Sequence, residues 1–453
     1  MNRDTKHRAV LAALFLAAAR PAVAAALYIP NGSHDITDAA YNGVYVGYDS
    51  DGNTSKNGIP YVATLNLKSG GTVISTYTAN TSTTNISGGT LTGYAYGYNN
   101  SATNISSGTV NDAEGFQNSK TTITGGTVTG ASAFGNSTVT LIGGTVTRAV
   151  GSDASTLSIS GGAVQTAIHG NTGTLDISGG TVNDAEAYTT STTVIRGGTV
   201  AQAAGHDSSA TNITNGTVSQ ATGYDNSKTN ITGGFVTAAY ARSNSTVAIG
   251  GGTLQNAFAY DAATTAISGG FLYSAAAYAG SRLAISGGIL TSSAAAYNSA
   301  VLNITGGLVQ YALASDTSTA TISGGNVIYA LGNNDSKTTV SGGTLPNGLE
   351  LTSTTAQSNF VGTGLASTYN GYSNNNPYGV YADAFTISGT FGSAQKSYAL
   401  YVPNANGAGG TPNPTPRQFT LNGVAPVAAP EMGTFALLLS TVGFIALARC
   451  REK

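Results

Sequence analysis

Catalysis and metal binding need groups that titrate, coordinate or attack, and this sequence holds few of them. Its 453 residues include 20 Asp and Glu, four His and one Cys. His7, His34, His169 and His206 are scattered, and no Ser-His-Asp spacing, phosphate-binding glycine loop or His-x-x-Glu ligand run is present. Five aspartates do recur in phase, at Asp153, Asp207, Asp225, Asp261 and Asp316. Only Asp207 and Asp225 fall in adjacent repeats, whereas calcium takes about six to eight oxygens. The column therefore predicts turns in which the carboxylate accepts backbone N–H bonds, not a metal site. The expectation is a protein without catalytic residues, metal or cofactor.

Two further columns carry contact chemistry. Tyr98, Phe116, Phe134, Tyr188, Tyr224, Tyr260, Tyr278 and Tyr297, with His206 among them, recur at one phase. They predict an outward ladder of rings that stacks along the repeat and offers a surface for sugars or a partner. Thr72, Thr90, Thr109, Thr127, Thr145, Thr181, Thr199, Thr217 and Thr253 form a hydroxyl file, interrupted by Ala163, Phe235, Phe271, Ile289, Leu308 and Asn326. Flat threonine files on solenoids bind ice, and the interruptions weigh against that reading here.

These columns exist because a glycine pair recurs. Its second position falls at Gly71, Gly89, Gly108, Gly126, Gly144, Gly162, Gly180, Gly198, Gly216, Gly234, Gly252, Gly270, Gly288, Gly307, Gly325 and Gly343, in steps of 18 residues with two of 19. So short a period marks a solenoid, in which each coil buries its apolar face only against its neighbours. Within one coil, residues 120–137, Thr121 and Ile123 alternate with polar residues as on a strand. The glycine pair turns a corner, and a second strand follows with Val128, Ala131 and Ala133 inward. Inward columns spaced 5, 3 and 2 apart do not fit the six-residue rhythm of left-handed hexapeptide helices. The fold expected is an all-β, right-handed parallel β-helix of about 16 coils, a rod on the order of 75 Å long at ~4.8 Å per coil.

Residues 25–68 and 346–402 flank the repeats (69–345) and are read as end caps that cover open sheet edges. Strands are expected in the second cap around residues 384–387 and 398–402. Residues 403–429, rich in Pro, Gly and Asn at first, read as a linker. Charged residues are 8% of the chain and the net charge is −2. Nucleic-acid binding is excluded, since it needs a basic stripe. The single Cys450 excludes a disulfide framework.

Arg3, Lys6 and Arg8, the apolar run 9–19 and Ala22-Val23-Ala24 make residues 1–24 a secretory signal peptide. Residues 432–448 are uncharged, long enough to cross a bilayer core, and followed by Arg449, Arg451 and Lys453. The body is thus expected outside the inner membrane.

The tail 430–453, with Pro430 and Glu431, the apolar span and the basic end, resembles the PEP-CTERM sorting signal of exopolysaccharide-producing bacteria. Its third motif position is Met432, where the family has proline. The resemblance implies an exosortase-type membrane protease as partner, transient anchoring through a C-terminal helix and release to the cell surface. The Ile-Ser-Gly-Gly-Thr-Val coils resemble those of autotransporter adhesin passengers, without the C-terminal β-barrel of such proteins. Together these lead to an expected surface or matrix protein, structural or adhesin-like, whose partner is exopolysaccharide or a second copy. Because parallel β-helices include polysaccharide lyases and hydrolases, such an enzyme is the alternative.

Overall fold

The computed structural model describes residues 26–37, 40–353, 355–373, 382–391, 394–403 and 419–422. The signal peptide, the sorting residues Pro430, Glu431, Arg449 and Arg451, and the apolar span 432–448 lie outside them. No described helix is long and apolar enough to cross a membrane.

The chain winds into a parallel β-solenoid of about 18 turns of ~18 residues, without helix among the described residues. Each coil contributes a short strand, such as Lys120–Ile123, and a longer one, such as Thr127–Ala133. Each strand pairs in parallel with its counterpart in the next coil, so that Ile123 faces Leu141 and Val128 faces Val146. The long-strand stack is interrupted by bulges, as between Leu272 and Ala275 and between Leu290 and Ser293. At ~4.8 Å per rung the stack is on the order of 85 Å long.

The glycine corner sits between the two strands. Gly126 has φ 82°, and so positive a φ recurs at the second glycine of almost every pair. A β-carbon at Gly252 would stand 2.9 Å from backbone atoms of the preceding corner. Two constraints therefore hold glycine here: left-handed backbone and direct stacking of corner on corner.

Inside, Ile123, Val128, Ala131 and Ala133 are buried as expected, and the same columns continue through the rod. A further inward column is serine. Ser119, Ser137, Ser191, Ser209, Ser227, Ser245, Ser281, Ser318 and Ser336 are all buried, although their place in polar turns reads as surface. Their hydroxyls follow a rule set by the residue four positions earlier. Where that residue is Ala, the hydroxyl donates to a carbonyl of the previous coil and accepts a local N–H: Ser137 to Gly115 O (3.0 Å) and from Phe134 N (2.8 Å), Ser281 to Ala259 O (3.0 Å) and from Tyr278 N (2.9 Å). Ser191, Ser245 and Ser318, after Ala187, Ala241 and Ala314, do the same. Where it is Gly (97, 115, 205, 223, 332), the hydroxyls of Ser101, Ser119, Ser209, Ser227 and Ser336 have no partner; Ser155, after Gly151, is the exception, accepting from Ser152 N at 3.0 Å beside His169. A methyl group on those glycines would meet the same hydroxyl oxygens at 2.7–3.4 Å. The alanine methyl thus occupies the space into which the hydroxyl otherwise turns.

Strands of the expected N-terminal cap join the same two stacks: Ala40–Val46 pairs with Thr72–Thr78, and Ala63–Leu67 pairs with Thr83–Gly97. At the other end, Thr363–Ser373, Ala382–Phe391 and Ala394–Pro403 form an antiparallel meander, with Phe360, Phe391 and Tyr398 packed together. The expected linker requires one revision. Phe419–Asn422 is a strand in register with Gln357–Val361, because Leu421 finds an apolar seat opposite Phe360 and is buried there.

Candidate functional site

The ring column stands at the far end of the long strand from the glycine corner. Tyr98, Phe116 and Phe134 stack at 5.3 and 5.1 Å between centroids, with rings within 15° of parallel. Tyr188, His206 and Tyr224 follow at 4.6 and 4.8 Å, then Tyr260, Tyr278 and Tyr297 at 5.1 Å each. Ser152 and Gly170 occupy the rungs between Phe134 and Tyr188. Arg242 occupies the rung before Tyr260, with its guanidinium 5.2 Å from that ring's centroid and 5.5 Å from the Tyr240 ring, a cation–π arrangement.

A second ring column lies two residues earlier and was not singled out in the sequence. Tyr28, Tyr45, Tyr77 and Tyr96 stack at 4.7–5.2 Å, and Tyr240 with Phe258 at 5.4 Å. The signal was available: Tyr96 and Tyr98, or Phe258 and Tyr260, alternate as two outward positions of one strand.

Stacking decides what this wall offers. Within each run the rings press face on face, so along it a passing molecule meets ring edges and phenol hydroxyls. Burial raises the phenol pKa of Tyr98 and Tyr188 to about 12, and burial moves Tyr260, Tyr278 and Tyr297 upward too. These groups therefore stay protonated and serve as hydrogen-bond donors across the physiological range; Tyr188 donates to Glu186 at 2.7 Å. Flat packing of a sugar on a ring face is blocked within each stacked run, while Tyr260, Tyr278 and Tyr297 carry phenol hydroxyls on consecutive rungs, with ring centroids 5.1 Å apart.

The aspartate column behaves differently from an ordinary Asx turn. Asp153, Asp207, Asp225, Asp261 and Asp316 adopt φ of 54–62°, and their carboxylates accept N–H groups from the preceding coil: Gly135, Thr189, Asp207, Ser243 and Asn298, at 2.9–3.2 Å. They clamp coil to coil. Among the described residues, no three His, Cys, Asp or Glu gather as metal ligands.

Among the described residues, His169 is the one buried histidine. Its Nε2 lies 2.9 Å from Ser155 O and 3.2 Å from Ser155 Oγ, and its Nδ1 lies 2.9 Å from Gly170 O. Burial lowers its pKa, against the pull of the two carbonyls and Asp153. Gly151 and Gly173 make room for it: a β-carbon on either would come within 2.3 Å of the imidazole.

The threonine file lies beside the corner and changes character along the rod. Thr217 pairs with Phe235, Thr253 with Phe271, and Ile289 with Leu308. The file is hydroxyl-rich up to Thr217 and largely apolar from Phe235 to Leu308. Compared with protein families, curated proteins and solved structures, the chain gives no match.

Proposed function

We propose that the protein is an exported structural or adhesin-like component of the cell surface or extracellular matrix, and that its ring wall binds exopolysaccharide. The observation that carries this reading is repetition. Stacked rings recur at one spacing in three runs along the rod, as a polymer ligand with many weak contacts requires. Export rests on the signal-peptide pattern of residues 1–24 and the sorting-signal resemblance of 430–453, which also names an exosortase-type protease as processing partner.

Polysaccharide arrays and a cell-aggregation assay with the purified protein test this. Binding is expected to fall at least ~10-fold when Tyr260, Tyr278 and Tyr297 are changed together to Ser, because avidity multiplies over rungs. An unmodified rod that binds no polysaccharide and leaves aggregation unchanged would overturn the reading.

A further inference from the structure

The apolar row beside the glycine corner has no role in the ring wall, which stands at the other end of the same strands. Phe235, Phe271, Ile289 and Leu308 follow one another along the file, broken only by Thr253, and Tyr273 and Tyr311 flank it. Phe271 is 47% exposed and Tyr273 59%, and the other four are 36–42% exposed. With side-chain areas of roughly 150–250 Å² for aromatics, these six leave on the order of 500 Å² of apolar surface in one strip. That lies in the upper part of the roughly 300–600 Å² of a typical monomer's largest patch, which is often functional.

Charge is absent from this face. From each corner to the third outward position of the long strand, coils 232–313 carry Thr, Phe, Tyr, Ile, Leu, Ser, Gln, Asn and Ala only. The stretch does hold Arg242, Asp261 and Arg282, but they sit in the ring column, the closing turn and the short strand. In earlier coils the face bears Asp112, Arg148 and Asp184. Loss of charge and gain of apolar side chains coincide, as they do at the centre of protein interfaces.

We infer that this face docks against the same face of a second copy of the chain. An uncharged strip meets its own copy without repulsion and without burying an unpaired ion. Both copies carry the same ~4.8 Å rung spacing, so contacts made at Phe271 recur in step at neighbouring coils. Two such strips remove on the order of 1,000 Å² of apolar surface from water. With the fringe of Thr253, Gln255, Ser292 and Gln310, the interface falls among stable ones of about 1,200–2,000 Å². Such a face-to-face contact is self-complementary and closes at two copies. It leaves both ring walls free.

Sedimentation velocity of the full-length chain in mild detergent tests this, with the 432–448 segment common to every variant. A dimer is expected at roughly 50 µM chain, weakened at least ~10-fold by Phe271→Asp and likewise by Tyr273→Asp, as for central interface residues. Thr145→Asp, on the same file in an earlier coil, is expected to leave it intact. Far-UV circular dichroism checks that each variant retains the solenoid. A wild-type monomer at all concentrations would overturn the inference, as would a dimer that tolerates both substitutions or is lost equally in Thr145→Asp.

Discussion

The coils before residue 233 and those from Phe235 to Ala314 share one backbone and differ in almost everything hung on it. Outside, the first group shows a threonine file and ten charged residues from Lys120 to Lys228; the second shows Phe235, Phe271, Ile289 and Leu308 and only three charges. Inside, Thr193, Ser209, Thr211, Ser227 and Thr229 form a run of buried hydroxyls without partners. Ala241, Ala259, Ala277, Ala296 and Ala314 line the second group, with Ala263 and Ala300 replacing serine, and between 241 and 314 only Thr265 carries an unpartnered buried hydroxyl. The register does not shift where one group gives way to the other: Thr217 pairs with Phe235 and Val218 with Val236. What the two keep in common, the glycine corner and the Ile and Val columns, is therefore what specifies the coil. The remaining columns are free to vary with function.

The sharpest test attacks the common element. Gly198→Ala and Gly288→Ala each force a methyl group onto left-handed backbone (φ 74° and 81°) and into the preceding corner, at 2.7 and 2.8 Å from its nearest backbone atom. Each is expected to destabilise by about 2–4 kcal/mol, equally in the two groups, read as urea midpoints. In a solenoid the damage stays near the altered coil, so hydrogen exchange should show it locally. A large loss at one site and none at the other would mean that the groups do not share a corner.

The coil was legible in the sequence because its determinants are strictly periodic. Gly126, Ile123 and Val128 each recur with little substitution, so their phase assigned them to corner and core. Other features were hidden for physical reasons. Ser137 follows Asn136 in a polar turn, and only its bonds to Gly115 O and Phe134 N reveal that it points inward. The aspartates read as local turn caps because sequence proximity favours bonds within a turn, whereas stacking brings the N–H of Gly135 to Asp153 from 18 residues away. The apolar row first read as breaks in a threonine file, since Phe235 and Phe271 acquire meaning only as neighbours across coils. The ring ladder was legible by position, but its stacked geometry, which covers the faces, needed coordinates.

A smaller effect should separate the groups by pH. His169 in the first group is buried with a lowered pKa, and the coils from 241 to 314 bury no titratable side chain. Above its ordinary value of 6.5 the imidazole is neutral in both folded and unfolded chains and contributes no pH dependence. As pH falls below 6.5, the unfolded chain takes up a proton that the folded one refuses, so stability falls until the lower folded value is passed. Between about pH 7.5 and 5, exchange protection around residues 156–191 should drop more than around 241–314. His169→Gln should remove that difference, and its persistence would assign the effect to other groups.

The smallest effect concerns the unpartnered hydroxyls. Gly205 and Gly223 lie in long strands without the left-handed backbone of the corner, and a methyl on either would meet a serine hydroxyl at 3.0–3.1 Å, the movable end of a side chain. Gly205→Ala should turn Ser209 onto the carbonyl and N–H positions that Ser191 and Ser245 already use. A satisfied buried hydroxyl is worth about 1 kcal/mol, and removing a glycine from the unfolded chain adds about 0.4–1 kcal/mol. Gly205→Ala is therefore expected to stabilise by roughly 1–2 kcal/mol, and Ala277→Gly in the second group to destabilise by a similar amount while Ser281 swings inward. Urea midpoints give both signs. If Gly205→Ala destabilises, the space beside Ser209 is needed by the polar coils, and their interior differs from the apolar one by more than the choice of alanine or glycine.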